Sequence, residues 1–190
     1  MDPLALATDP VAAGALAGAL ALILFAAAWH KLSELDVFVG VLQAYELLPH
    51  GAVVIVARAL PYLEAALGIG VLLPVTRSVA SIAVASLLVL YAVAMAINLW
   101  RGKRNIDCGC GGEGQSLSWA LVLRNAVLAG VAVGVSGPAG ERNFEWLDGV
   151  TLVGGVLAFY VLYLLIDELL RQSSRLRTLR AGPQHESPTE

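Results

Sequence analysis

The sequence predicts an all-α fold: a polytopic transmembrane helix bundle with four to five spans and an interfacial amphipathic helix after the first span. Of the 190 residues, 58% are hydrophobic and only 14% are charged, and the mean hydropathy is +0.75. A soluble domain usually carries about 25% charged residues. Long apolar runs also recur along the chain, and a backbone in lipid satisfies its own hydrogen bonds by forming helices.

Five apolar segments reach the roughly 18 residues needed to cross about 30 Å of hydrocarbon. They are 10–29, 51–74, 78–100, 117–136 and 149–166. The first could be read as a cleaved signal peptide, because Ala26 and Ala28 form a small-x-small pattern. A signal peptide begins with basic residues, however, and none precedes this segment, so a retained helix is favoured.

The segment 30–50 is long without being polar. Its apolar residues follow a spacing of three or four: Leu35, Phe38, Val39, Leu42 and Tyr45. Ser33 is a candidate N-cap, and Pro49 ends the run. This pattern predicts an amphipathic helix lying at the membrane interface, and the alternative is a simple extension of the first helix.

The division of the chain predicted from these patterns is a bundle over residues 1–170 and a basic, then Pro/Glu-rich disordered tail over 171–190. Two small-residue pairs fit close helix packing: Gly14 with Gly18, and Gly130 with Gly134. The net charge of -3 excludes a strongly basic nucleic-acid binder. The three histidines are far apart, so no His-rich metal site is predicted.

The most informative motif is the pair Cys108 and Cys110, which are the only cysteines in the chain. They lie in the loop RGKRNIDCGCGGEGQS at 101–116, whose glycines allow the backbone to bend. A Cys-Gly-Cys disulfide closes a very small ring, and strained disulfides are easier to reduce. Such a pair is suited to redox exchange with a partner's thiols.

Two other interpretations of the cysteines stay open. Two thiolates can hold copper(I), zinc or mercury, although they do not complete a tetrahedral site. The pair could also be two small loop residues without a chemical role. We favour the redox interpretation and predict no resident metal.

Ionisable residues inside the spans are candidate functional residues because they are costly in lipid. Glu64 lies mid-span, three residues after Pro61, and Arg124 is a candidate partner for it across the bundle. Asn98 lies near the end of the third span. These four residues have a structural or gating role in this interpretation; a buried ion pair and a catalytic or gating function remain alternatives.

Trp100 and Trp119 flank the cysteine loop. Their ordinary interpretation is as anchors in the aromatic belt at the membrane surface. The functional alternative is an aromatic-walled slot for a quinone beside the disulfide, so a quinone is a possible cofactor.

The distribution of Lys and Arg predicts on which side the loops lie. Lys31, Arg101 and Arg104 are expected to hold the membrane interface on the side of the cysteine loop. With five crossings, that side carries eight basic residues and the other side two. The positive-inside rule then places the cysteine loop in the cytoplasm.

Several of these residues together resemble the MauE family, within the broader MauE/DoxX group of redox-associated membrane proteins. The resemblance covers roughly residues 11–135. It rests on Lys31, Tyr45, the Leu-Leu-Pro at 47–49, Pro61 and Glu64 in LPYLEAALGIGVLL, Arg101-Gly102, DCGCGG, and Arg124-Asn125. One departure is Gly111, which stands where the family usually has an aromatic residue.

The resemblance implies an integral protein of the bacterial cytoplasmic membrane that supports processing of the disulfide-rich small subunit of methylamine dehydrogenase. It also implies a thioredoxin-like partner. Oxidation of an exported client would require the cysteines on the outer face, which conflicts with the charge count. The alternative function is a soft-metal transporter in which the cysteines pass an ion to Glu64 and Asn98.

Overall fold

A computed structural model describes residues 9–103, 106–109, 116–137, 140 and 145–180. These residues form six helices: α1 Pro10–Ser33, α2 Leu35–Tyr45, α3 His50–Leu72, α4 Arg77–Trp100, α5 Trp119–Val135 and α6 Trp146–Arg180. An isolated antiparallel bridge joins Asp107 to Ser116 at the base of the loop between α4 and α5. The predicted all-α class is confirmed.

Four helices are long and apolar enough to cross a membrane: α1, α3, α4 and the part of α6 up to Gln172. The helix α5 is also apolar but has only 17 residues. At about 1.5 Å per residue it extends roughly 25 Å, slightly less than the hydrocarbon thickness. The polytopic bundle with four to five spans is therefore confirmed.

The first helix has a well-defined beginning and continues further than the sequence predicts. The Asp9 Oδ1 atom accepts hydrogen bonds from the backbone N–H groups of Val11 and Ala12, at 2.8 and 3.1 Å. Pro10 occupies the first turn, where its missing N–H costs nothing. The helix passes the predicted boundary at Trp29 and ends at Ser33.

The chain bends at Glu34, which has φ -125° and ψ 47°, and α2 begins immediately afterwards. A separate second helix is thus confirmed, and its interpretation as a simple extension of α1 is wrong. The expected N-cap at Ser33 is also wrong. Its hydroxyl donates a 3.0 Å hydrogen bond back to the His30 carbonyl within α1, so it does not cap α2.

The core of the bundle lies between α1, α3, α4 and α5. The most extensive helix contacts are those of α4 with α5 and of α1 with α3. Small and branched apolar side chains fill this core: Ala17, Leu20, Leu24, Val71, Ala80, Val84, Ala85, Leu88, Ala129, Ala132 and Val135. A second apolar cluster surrounds Cys108 at the end of the bundle that carries the cysteine loop.

The last helix packs on α1 through small residues. A Cβ atom on Gly18 would lie 2.5 Å from the Val156 side chain, and one on Gly14 would lie 3.0 Å from Leu152. The predicted close packing at this pair is confirmed. The same expectation for Gly130 and Gly134 is wrong among the described residues, because a Cβ on either would meet no atom within 4 Å.

The basic segment after residue 170 differs from the sequence expectation. It was expected to begin a disordered tail, but α6 continues without interruption to Arg180. Helix continuation is physically reasonable here, because 171–180 contains no Pro or Gly. Residues 181–190, the Pro/Glu-rich part of the predicted tail, lie outside the described residues.

We expect Gly18→Val to destabilise the attachment of α6, because the added side chain would overlap Val156. The expected loss in the free energy of unfolding is about 1–3 kcal/mol, the usual cost of overpacking. Unfolding of the purified protein in detergent would measure it. Gly130→Val is the matched control, and an equal loss in both variants would contradict the packing of α1 on α6.

Candidate functional site

A buried ion pair connects α1 and α3 inside the bundle. The Lys31 ammonium contacts the Glu64 carboxylate at Oε1, and the two residues are only 5% and 1% exposed. Tyr91 of α4 donates a 2.8 Å hydrogen bond to the same carboxylate oxygen. The Lys31 Nζ atom also lies 4.9 Å from the centre of the Tyr91 ring and 5.3 Å from that of Phe38. One cation and one anion therefore bring three helices together.

This pair corrects two expectations. Lys31 does not hold the membrane interface, because its side chain is buried within the bundle. Glu64 does not pair with Arg124, whose guanidinium contacts Asp167 of α6. The second Asp167 carboxylate oxygen accepts a hydrogen bond from Arg171 at 3.0 Å. The two acidic residues thus neutralise different cations, and the two pairs are separate.

The sequence did contain a signal for the burial of Lys31. Leu20, Leu24, Ala28 and Lys31 follow one another at spacings of four, four and three residues, so they share one face of α1. All four are buried. Ending the predicted helix at Trp29 removed Lys31 from this face and led to the wrong expectation. Asp167 was missed for a similar reason, because it was read only as the polar end of a span.

An apolar cavity of about 200 Å³ lies beside this ion pair. Lys31 and Tyr91 form part of its wall, and so do Cys108 and Gly109 of the cysteine loop. The rest of the lining is apolar or aromatic: Phe38, Val41, Leu42, Tyr45, Leu47, Leu48, Val56, Leu60, Leu90, Ala94 and Met95. Residues of the cysteine loop and the charged residue Lys31 therefore lie in the wall of the same cavity.

The cysteine loop is closed at its base and held against α2. Its base is fixed by the hydrogen bond from the Leu117 N–H to the Ile106 carbonyl, at 3.0 Å. Tyr45 donates a 3.2 Å hydrogen bond to the Cys108 carbonyl. Gly109 has φ +69°, and a Cβ there would lie 3.0 Å from Val41, so both backbone conformation and space favour glycine. Cys108 itself is buried.

A surface ion pair adds a further link between the loop and α2. The Lys103 ammonium lies 2.6 Å from the Glu46 carboxylate and donates a 3.3 Å hydrogen bond to the Ala44 carbonyl. The hydrogen bond and charge of Lys103 lower the pKa of Glu46, and the positive charge of Arg101 lowers it further. Arg101 is exposed at the end of α4.

The remaining predicted residues occupy different places. Pro61 is buried inside α3, one turn before Glu64. Asn98 is buried in α4 and donates to the Ala94 carbonyl at 3.1 Å, while its Oδ1 has no hydrogen-bond partner among the described residues. Neither residue lines the cavity beside Cys108. Cys110 and Arg104 lie outside the described residues.

Trp100 and Trp119 do not form the aromatic-walled slot that was the alternative to their interpretation as belt anchors. Trp100 and Trp119 contact each other, with ring centres 5.9 Å apart, and both are exposed on the bundle. They are absent from the wall of the cavity that contains Cys108. Its aromatic residues are Phe38, Tyr45 and Tyr91. Phe38 and Tyr45 were named from the sequence for their spacing in the amphipathic helix, but Tyr91 was not, because a tyrosine in an apolar helix gives no sign of facing a cavity.

The soft-metal interpretation finds no coordinating cluster in the part of the chain that the structure describes. No group of three or more His, Cys, Asp or Glu residues is close enough there to hold a metal ion. In addition, the Oε1 atom of Glu64 already accepts hydrogen bonds from Lys31 and Tyr91, so this oxygen is not available to receive an ion from Cys108.

The fold and the site together define a multi-pass helical membrane protein in which a cysteine-bearing loop closes against an apolar cavity. The chain belongs to the family described as methylamine utilisation protein MauE, whose model matches residues 9–136. The matched range contains the Lys31–Glu64 pair, Tyr91 and both cysteines, and it ends before α6. The resemblance seen in the sequence is thereby confirmed.

Individual relatives agree with the family match. The chain is 42% identical to methylamine utilization protein MauE of Paracoccus denitrificans over 130 residues, which are 67% of this chain and 70% of that protein. It is 41% identical over 135 residues to the protein of that name from Methylorubrum extorquens, covering 70% and 73%. For Methylophilus methylotrophus the identity is 34% over 163 residues, covering 84% and 86%. No solved structure matches the chain.

We expect Lys31→Met to lower the free energy of unfolding by about 3–5 kcal/mol, because it leaves the Glu64 charge buried without its cation. The double variant Lys31→Met/Glu64→Gln should be much less destabilised than the sum of the single variants. Unfolding in mixed micelles would measure the coupling. The matched control is the cycle of Arg124→Met with Glu64→Gln, which should be additive within about 0.5 kcal/mol. Stronger coupling in this second cycle would contradict the observed pairing.

The Glu46–Lys103 contact predicts a pH dependence of stability. The pKa of Glu46 is lowered in the folded protein, so its contribution is complete above the ordinary glutamate value of about 4.3 and is lost as the pH falls through the lower folded value. We expect the difference in Tm between the wild type and Glu46→Gln to shrink to zero on acidification. In a Lys103→Met background that difference should be much smaller at every pH, with only the contribution of Arg101 remaining; a difference of unchanged size would assign it to another contact.

Proposed function

We propose that this chain is an integral membrane redox factor that supports thiol–disulfide processing of a partner protein in methylamine utilisation. The observation that carries the proposal is the cysteine loop, since Cys108 is held by α2 at the wall of an apolar cavity and Cys110 follows two residues later in sequence. The relatives named methylamine utilization protein MauE supply the metabolic context. A disulfide-rich client, such as the small subunit of methylamine dehydrogenase, or a thioredoxin-like protein is the proposed partner.

The chemistry is a two-step exchange that conserves atoms and electrons. A client thiolate attacks one sulfur of a Cys108–Cys110 disulfide and forms a mixed disulfide, while the other sulfur leaves as a thiolate. A second client thiolate then attacks the mixed disulfide and closes the client's own disulfide. Two electrons pass to Cys108 and Cys110, whose sulfurs take up two protons to become thiols. The reverse sequence would reduce a partner.

The polar residues of the spans support this site in the proposal. Glu64 and Pro61 of α3 fix the ion pair beside the cavity, and Arg124 fixes α6 to α5. Asn98 lies near the end of α4 that leads into the loop. Their proposed role is structural or gating, because none of them lines the cavity that contains Cys108. Four long apolar helices are consistent with residence in a membrane, which we propose to be the bacterial cytoplasmic membrane.

We expect a cellular assay of thiol state to reveal reversible oxidation of the two cysteines. Proteins trapped with a thiol-reactive mass tag should lose two tagging sites in the absence of reductant and regain both after reduction. Cys108→Ser and Cys110→Ser should each accumulate a mixed disulfide with a partner, visible on a non-reducing gel. Both variants should also lose the ability to support growth on methylamine.

The controls for this experiment separate redox chemistry from a scaffold role. Ser81→Ala changes another buried residue of the bundle and should leave the tagging pattern and growth unchanged. A Cys108→Ser/Cys110→Ser variant that retains full growth would contradict the proposal. A membrane-impermeant tag applied to intact cells would establish on which face the pair reacts, and an exported client requires the outer face.

A further inference from the structure

We propose that the cavity beside Cys108 binds the head group of a lipid-soluble quinone, which accepts the electrons collected by the cysteine pair. This inference rests on the proposed function, because it identifies the oxidant that returns the dithiol to a disulfide. The inference depends on the juxtaposition in one cavity wall of a cysteine, a buried cation and aromatic rings.

The shape and position of the cavity suit a ring attached to an apolar tail. Its volume of about 200 Å³ is below the roughly 300–1,000 Å³ of sites that enclose drug-sized ligands, so it would take a head group alone. Leu90 and Leu48 line it and are themselves 61% and 36% exposed on the bundle surface. Leu90 belongs to the membrane span α4. An apolar tail would therefore leave the cavity toward lipid.

Lys31 provides the polar recognition that a purely apolar ligand would not require. Its ammonium has three donors, and one of them engages Glu64. The aromatic rings of Phe38 and Tyr91, which line the cavity, lie close to the same nitrogen. The positive charge of Lys31 is therefore at the cavity wall. A quinone oxygen accepts hydrogen bonds and gains negative charge as it is reduced. A positive group held at that wall stabilises the quinone oxygen both as a hydrogen-bond acceptor and as it gains negative charge.

The electron balance of the step is complete. Cys108 and Cys110, as two thiols, lose two electrons and two protons and form one S–S bond. The quinone gains the two electrons and two protons on its carbonyl oxygens and becomes a hydroquinone. Cys108 lines the same cavity, and the hydrogen bond from Tyr45 to its carbonyl fixes the backbone there. The reduced carrier then leaves through the lipid-facing mouth.

The principal alternative occupant is a lipid acyl chain, which the apolar wall would also accept. An acyl chain has no group that interacts with Lys31 and no redox chemistry with Cys108. The experiment therefore compares a quinone with an alkyl ring compound that lacks the carbonyl oxygens.

The test uses full-length protein in nanodiscs, reduced and kept anaerobic, with decylubiquinone as the probe. We expect one quinone to be reduced for every two thiols lost. Leu90→Trp should slow this reaction roughly tenfold or more by filling the cavity mouth. Val93→Trp is the matched control, because Val93 is also exposed on α4 but does not line the cavity. Equal rates in the two variants would overturn the proposed site.

Quinone binding is measured separately from quinone reduction, so that failure of the proposed function can be distinguished from failure of the quinone site. In the Cys108→Ser/Cys110→Ser variant, a photoreactive azidoquinone should still label cavity residues, and decylubiquinone should displace it better than decylbenzene does. Labelling without any partner exchange in cells would leave the quinone site standing and refute the proposed function. Partner exchange without labelling or quinone reduction, or equal displacement by decylbenzene, would refute the quinone site alone.

Discussion

The buried contact between Lys31 and Glu64 is the constraint on which the arrangement of the site depends. A single charge inside a membrane helix is costly, and two opposite charges in contact remove much of that cost. The contact fixes the rotation of α1 and α3, and the hydrogen bond from Tyr91 adds α4. Because Lys31 also lies at the cavity wall, the same interaction that orders the bundle sets the electrostatic character of the cavity.

A second ionic cluster organises the other side of the bundle independently. Arg124 of α5 contacts Asp167 of α6, and Arg171 binds the second oxygen of the same carboxylate. The helix α6 also meets α1 along the surface of Gly14 and Gly18. A long apolar helix is thus attached by small-residue packing at one end and by charge at the other. The apolar cluster around Cys108 is formed mainly by residues of α2, α4 and α5, and Leu170 of α6 packs against it.

The short helix α2 has a larger role than an amphipathic surface helix. Tyr45 binds the backbone of Cys108, while Phe38 and Val41 enclose Gly109. Glu46, at the end of the helix, binds Lys103 on the approach to the loop. The cysteine loop is therefore positioned by α2 rather than by the glycines of the loop alone.

The sequence by itself determined the helices and the chemical candidates. Apolar runs long enough to span lipid identify α1, α3, α4 and α6, because a backbone in hydrocarbon has few alternatives to a helix. The spacing of Cys108 and Cys110 identifies the candidate redox loop in the same direct way. Both signals depend only on residues that are close in sequence, so they can be identified without knowledge of the tertiary structure.

Only the tertiary structure decided which charges meet and which rings face the cavity. The buried anions Glu64 and Asp167 and the buried cations Lys31 and Arg124 allow more than one pairing. The choice depends on the depth and rotation of each helix, which composition and spacing do not specify. The same reason explains why Tyr91 was missed and why the aromatic residues of the cavity wall are Phe38, Tyr45 and Tyr91 rather than the exposed tryptophans.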